Sequence, residues 1–110
     1  MTFLELRSEV KSVPLEQLRS DTDSLLEVVI QTGDLPRLNS ILEKYFGKAV
    51  KPAGTPVTQE ASSRVSAFGG IRANQTLYCL PQAEENNFAM IWPWSDGALA
   101  TVKIIGEAAP

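Results

Sequence analysis

Apolar residues recur at two spacings along the chain, and each spacing predicts a different element. Leu38, Ile41, Leu42, Tyr45 and Phe46 fall on one side of a 3.6-residue repeat, with Arg37, Asn39, Ser40, Glu43 and Lys44 on the other. The pattern predicts an amphipathic helix over residues 35–46. Gly33-Asp34 supplies its break and N-cap, Pro36 sits in its first turn, and Gly47 ends it. Three runs near the end, residues 76–80, 87–94 and 99–105, have the length and β-branched or aromatic content of strands. Residues 81–86 form a polar connection and Ser95-Asp96-Gly97 a tight turn, so the three runs predict an antiparallel meander.

The earlier half is less regular. Phe3, Leu4, Leu6 and Val10 fit either a short amphipathic helix or an irregular arm, and residues 1–20 are read as a loosely packed N-terminal segment. Asp21-Thr22-Asp23-Ser24 reads as a turn and Leu25-Leu26-Glu27-Val28-Val29-Ile30 as a strand, because β-branched residues cluster in a short apolar run. A helix over residues 15–31 is the rival. It would carry four backbone-competing polar residues, 21–24, in its middle, and the strand is preferred. Residues 51–56 form a Pro- and Gly-rich loop, and residues 59–68 add a short helix ending at Gly69-Gly70. The expected fold is one α+β domain over residues 1–110. It has a three-stranded antiparallel meander, an earlier strand (25–30) whose place in the sheet is open, and helices on one face.

Alternation then assigns faces. Phe88, Met90, Trp92 and Trp94 share one side of their strand, and Ala98, Ala100, Val102 and Ile104 one side of the next. A three-residue turn, 95–97, would set Trp92 opposite Ala100 and Met90 opposite Val102, giving an apolar layer. A turn of Asp96-Gly97 alone would set Trp92 opposite Thr101 and Met90 opposite Lys103. The first register is preferred, since a Trp buries on the order of 150–250 Å² and a small domain gains from burying two. Trp92 and Trp94 are then expected in the core against the 35–46 helix. The alternative is an exposed aromatic recognition patch. Pro93 cannot donate to a ladder, so the strand there must be unpaired on one side, bulged or ending.

Composition mostly excludes. The 110 residues carry 13 acidic and 10 basic side chains, a formal charge of −3, with no basic field for nucleic acid or an anionic membrane. No apolar run approaches the roughly 20 residues that span a bilayer. One cysteine, Cys79, and no leader-like start point to the cytoplasm. In that setting Asn74-Gln75-Thr76 is an accidental glycosylation triplet.

There is no histidine, which removes the commonest general base, the usual triads and the His-containing zinc sites. Cys79 lies in an apolar strand with no adjacent cation, and a core role is preferred to a reactive one. Asp21, Asp23 and Glu27 could offer oxygen ligands but lack the rest of a calcium loop; Glu84 and Glu85 read as a solvated turn. Gly69-Gly70 leads into a strand, whereas a phosphate cradle leads into a helix. Lys44, Lys48 and Lys51 make a modest basic edge, read as a solubilising helix end. Arg72 near an aromatic cluster could bind a carboxylate.

These readings yield an expectation of a non-catalytic cytoplasmic protein-interaction domain with no cofactor and no metal. Self-association through an exposed edge of the last strand, at Leu99, Thr101 and Ile105, is included. The alternative is a small-ligand domain with a pocket between the 35–46 helix and the sheet, lined by Tyr45, Trp92 and Trp94 and gated by residues 51–57. The binding residues expected are Tyr45, Arg72, Trp92 and Trp94. An enzyme, which would depend on Asp, Glu, Lys, Tyr or Cys79 alone, is the least favoured.

Overall fold

The computed structural model describes residues 3–22, 24–66, 70–79 and 87–106. Helix α1 (Phe3–Lys11) leads into a hairpin of β1 (Gln17–Asp21) and β2 (Leu25–Gln31). A 3-10 turn, Thr32–Asp34, opens α2 (Leu35–Phe46), and the short α3 (Gln59–Val65) precedes β3 (Thr76–Cys79), β4 (Phe88–Pro93) and β5 (Leu99–Ile105). All five strands join one antiparallel sheet in the order β1-β2-β5-β4-β3. The molecule is a small α+β domain, and the meander expected from the sequence is present. The 25–30 strand finds its place beside β5, pairing Leu25 with Ile105 through Gln31 with Leu99.

Gly47 ends α2 with φ 79° and donates its N–H to the Glu43 carbonyl, as glycine past a helix end does. The expected Asp34 cap does not form, since Asp34 lies in helical conformation at the end of the 3-10 turn and its carboxylate caps nothing. The N-terminal segment is not a loose arm: Leu6, Val10 and Val13 are buried in the same cluster as Leu38, Leu42 and Phe46 of α2. Arg7 and Lys11 of α1 both bind the Asp21 carboxylate, fastening the helix to β1.

The core has two parts, one on each side of the sheet. Under α1 and α2 lie Leu26, Val28, Ile30, Tyr78, Ala89, Ile91, Ala100, Val102 and Ile104. On the opposite side Leu77, Cys79, Phe88, Met90 and Ile105 pack with Val65 of α3 and with Ile71. The helices therefore occupy both faces, which corrects the expectation of helices on one.

Both sheet edges are obstructed. Beside β3, Lys51 bridges to Leu77, and its buried ammonium donates to the carbonyls of Pro52, Ala73 and Gln75 at 3.3, 2.9 and 2.7 Å. Burial pushes the Lys51 pKa below its usual value. The residues proposed as a gating loop are thus partly pinned to the sheet. At the other edge β1 is five residues long and carries a bulge between Leu18 and Ser20. Short length, a bulge and charged side chains are the devices that keep an edge from pairing further. The last strand, β5, is paired on both sides, so self-association through its edge is excluded.

Candidate functional site

The hairpin between β4 and β5 decides where the indoles go. The Asp96 carboxylate accepts from the Ala98 N–H at 2.9 Å, and the Gly97 N–H donates to the Trp94 carbonyl at 3.1 Å. Ala98 is drawn into the turn, and Trp94 donates its backbone N–H to Leu99 at 2.9 Å. Trp92 consequently pairs with Thr101 and Met90 with Lys103. This is the register one step from the preferred one, and the apolar layer of Trp92 over Ala100 is overturned. Pro93 closes β4 beyond the last β3 pairing, Thr76 with Ile91, so no β3 ladder bond is lost there.

With that register Phe88, Met90 and Trp92 face away from α1 and α2. Trp92 packs with the α3-side cluster, and Tyr45 with the helical one. The expected pocket between α2 and the sheet, lined by Tyr45, Trp92 and Trp94, does not form because its walls lie on opposite sides. Tyr45 meets Phe46 edge-on at 4.7 Å, and burial raises its hydroxyl pKa. Tyr78 donates to the Asn39 side chain of α2 at 2.7 Å, and burial, with the nearby Glu43 charge, pushes its pKa up to about 12.

On the outer face the two indoles and three charged side chains form one arrangement. Trp94 donates its indole N–H to the Thr101 hydroxyl at 2.8 Å, which fixes the ring over β5. The Arg19 guanidinium, supplied by the β1 bulge, lies 5.6 Å from the Trp94 ring centroid, and the Lys103 ammonium 4.0 Å from that of Trp92. Each such contact contributes about 0.5–1 kcal/mol when exposed. Between them stands Glu27, 3.6 Å from Arg19 and 3.8 Å from Lys103. Trp92 and Trp94 are half-buried, and the Trp92 indole nitrogen has no hydrogen-bond partner. The covering by α3 and Ile71 reaches the β3–β4 side of this face; Arg19, Glu27, Trp94 and Lys103 belong to the part beside it.

Arg72, the fourth expected binding residue, is exposed in the turn before β3, where its backbone N–H binds the Gln75 side chain at 2.7 Å. The cations over the indoles are Arg19 and Lys103, neither of which the sequence singled out. Lys103 opposite a glutamate in a neighbouring strand was the available signal. Asp21 and Glu27, weighed as ligands from one turn, stand on opposite faces of the hairpin, since Asp21 pairs with Leu26 and Glu27 is the next residue along: Asp21 binds α1 and Glu27 faces outward. Asp23, Gly69, Glu84 and Glu85 lie outside the described residues. Among the described residues no three His, Cys, Asp or Glu side chains gather as a metal site, and no helix is long and apolar enough to cross a membrane. Cys79 is buried in the α3-side cluster, and a shallow open groove of about 360 Å³ runs along α1 at Leu4, Glu5, Ser8 and Glu9.

Compared with protein-family models, with curated proteins and with solved structures, the chain finds no match.

Proposed function

We propose that the chain is a non-catalytic binding domain that works by protein contact through the outer face of its sheet, at Trp92, Trp94, Arg19 and Lys103. The observation that carries this reading is the pair of half-buried indoles held beneath cations on a part of the sheet next to the α3 cover. Aromatic residues and Arg are the side chains most often found to dominate binding energy at protein interfaces. Obstructed edges favour contact through a face over contact through an added strand. A cytoplasmic setting belongs to the same proposal and rests on the lone cysteine. The small-ligand alternative has lost the chamber on which it was built, because Tyr45 stands on the other side of the sheet.

A photo-crosslinking residue placed at Gln17 or Gln31, both exposed and flanking the indole face, tests the proposal in the native cell. Discrete protein adducts are expected from these two positions and not from Ser12 or Lys48 on the helical side. Equal labelling from both sides, or none at Gln17 and Gln31, would remove it.

A further inference from the structure

We infer that the chain has a second folded state, a two-fold dimer in which each copy lends β5 to the other, and that the turn at residues 95–98 decides which state forms.

The first argument is what β5 joins. Among the described strands it alone pairs with both β2 and β4, from Leu25–Ile105 to Gln31–Leu99 on one side and from Phe88–Ile105 to Pro93–Ala100 on the other. Its Ala100, Val102 and Ile104 are completely buried. A β5 from a second copy has the same sequence, so it restores each of these pairings and refills the same core. The two states then differ only at the turn and in the cost of bringing two chains together. No free sheet edge is needed. The obstructed rims at β1 and β3, which oppose association by added strands, leave the exchange of an internal strand untouched.

The second argument is what holds the turn closed. Ser95, Asp96, Gly97 and Ala98 are all exposed. The Asp96 carboxylate accepts from the N–H groups of Ala98 and Leu99 at 2.9 and 3.4 Å, the Gly97 N–H donates to the Trp94 carbonyl at 3.1 Å, and the Thr32 hydroxyl donates to the Gly97 carbonyl at 2.7 Å. Water can take over each of these when the turn straightens, so none is a strong lock. The Trp94 bonds to Leu99 and Thr101 survive, made to the second copy's strand instead. One constraint remains at Gly97, whose φ of 72° is a conformation that a β-branched residue adopts only under strain, although a Cβ built there meets no atom within 4 Å. Replacing Gly97 therefore penalises the closed turn and spares the extended one.

The third argument is concentration. A short link presents its own strand at roughly millimolar effective concentration, so self-closure prevails in dilute solution. Exchange is confined to chains that fold together, because a strand buried on both sides does not leave the folded molecule.

The test is a mixed refolding. One form of the chain carries Glu27→Cys and the other Lys103→Cys; both are unfolded in urea, combined and refolded with oxidised glutathione, with and without Gly97→Val in both. Residues 27 and 103 are partners in the β2–β5 ladder, and the bonded pairs fall at Ser24 with Gly106 and Thr32 with Ala98. That parity makes 27 and 103 a close, non-bonded pair within disulfide reach. A cross-link between chains therefore requires β5 of one beside β2 of the other. The expected product is a dimer whose 27–103 disulfide is identified by peptide mass. It should appear in the Gly97→Val pair at a chain concentration roughly a hundredfold lower than in the pair that keeps Gly97, because each dimer relieves two strained turns, each worth about tenfold. Copies mixed without unfolding should stay monomeric, and their cross-linking would show contact between closed molecules and overturn the exchange. A Gly97→Val dimer lacking the 27–103 link overturns it, as does the same concentration dependence with and without Gly97. If Gly97→Val does not fold, Gly97→Ala carries the same comparison at smaller strain, and monomers at every concentration in the variant that folds overturn the inference.

Discussion

β5 runs through the middle of the sheet and shows both sides of the molecule in seven residues. Ala100, Val102 and Ile104 point under α1 and α2 and are completely buried. Thr101 and Lys103, between them, hold an indole N–H and a cation–indole contact on the other side. One side is closed by continuous apolar packing. The other is finished by hydrogen bonds, ion pairs and half-buried rings, each individually weak. The contrast teaches that the same ladder can carry a layer fixed by volume and a layer fixed by polar geometry, and only the second can exchange its partners without opening the core.

The contrast breaks if the two sides respond alike to substitution. The largest effect is expected at Leu42, fully buried in the helical layer, where Leu42→Ala should cost about 2–5 kcal/mol in urea denaturation. A cost below that of the indole-face variants would refute the division. Lys51→Met comes next. It orphans carbonyls that the ammonium now satisfies and should cost about 1–3 kcal/mol, with faster hydrogen exchange at Leu77 as the local readout. Trp94→Phe removes the bond to Thr101 and weakens the Arg19 contact, a loss of about 1 kcal/mol, and an unchanged melting temperature would show that the ring is not fixed as described.

The smallest effect is a matter of direction. The Asp21 carboxyl is held below its usual value of 3.8, first by its hydrogen bond to Lys11, against a counteracting burial effect, and also by Arg7. A depressed folded-state pKa means that this contribution is complete above 3.8 and disappears as pH falls through the folded value. Asp21→Asn should flatten the acid limb of stability against pH. Parallel limbs in the two proteins would show that the anchor between α1 and β1 contributes nothing.

How much of this was legible in the sequence depended on whether a residue's face left a periodic trace. α2 was legible because one side meets the core and the other water, so Leu38, Ile41, Leu42 and Phe46 repeat with the helix. β1 left no trace, because Gln17-Leu18-Arg19-Ser20-Asp21 is an edge strand and only Ser20 among these is not classed as exposed. The faces of β4 were misassigned for the opposite reason. Phe88, Ala89, Met90 and Ile91 are all buried, two toward each side, so alternation carries no information about which side is which. Parity then rested on the turn, and a single carboxylate, Asp96, lengthened it by binding the Ala98 N–H. The residues of the proposed site were half legible. Trp92 and Trp94 stand out by type, whereas Arg19 reaches them from a strand the sequence did not reveal.

The central position of β5 bears on how the chain is made. A ribosome delivers the β1–β2 hairpin, both longer helices and β3 and β4 before residues 99–105 emerge, yet those two halves of the sheet share no ladder until that strand slides between them. The nascent polypeptide must therefore wait, with Val28 and Ile91 still uncovered along one flank, for the final insertion. Chains stalled after Pro93 should be cut rapidly by a protease that spares those released a few residues past Ile105.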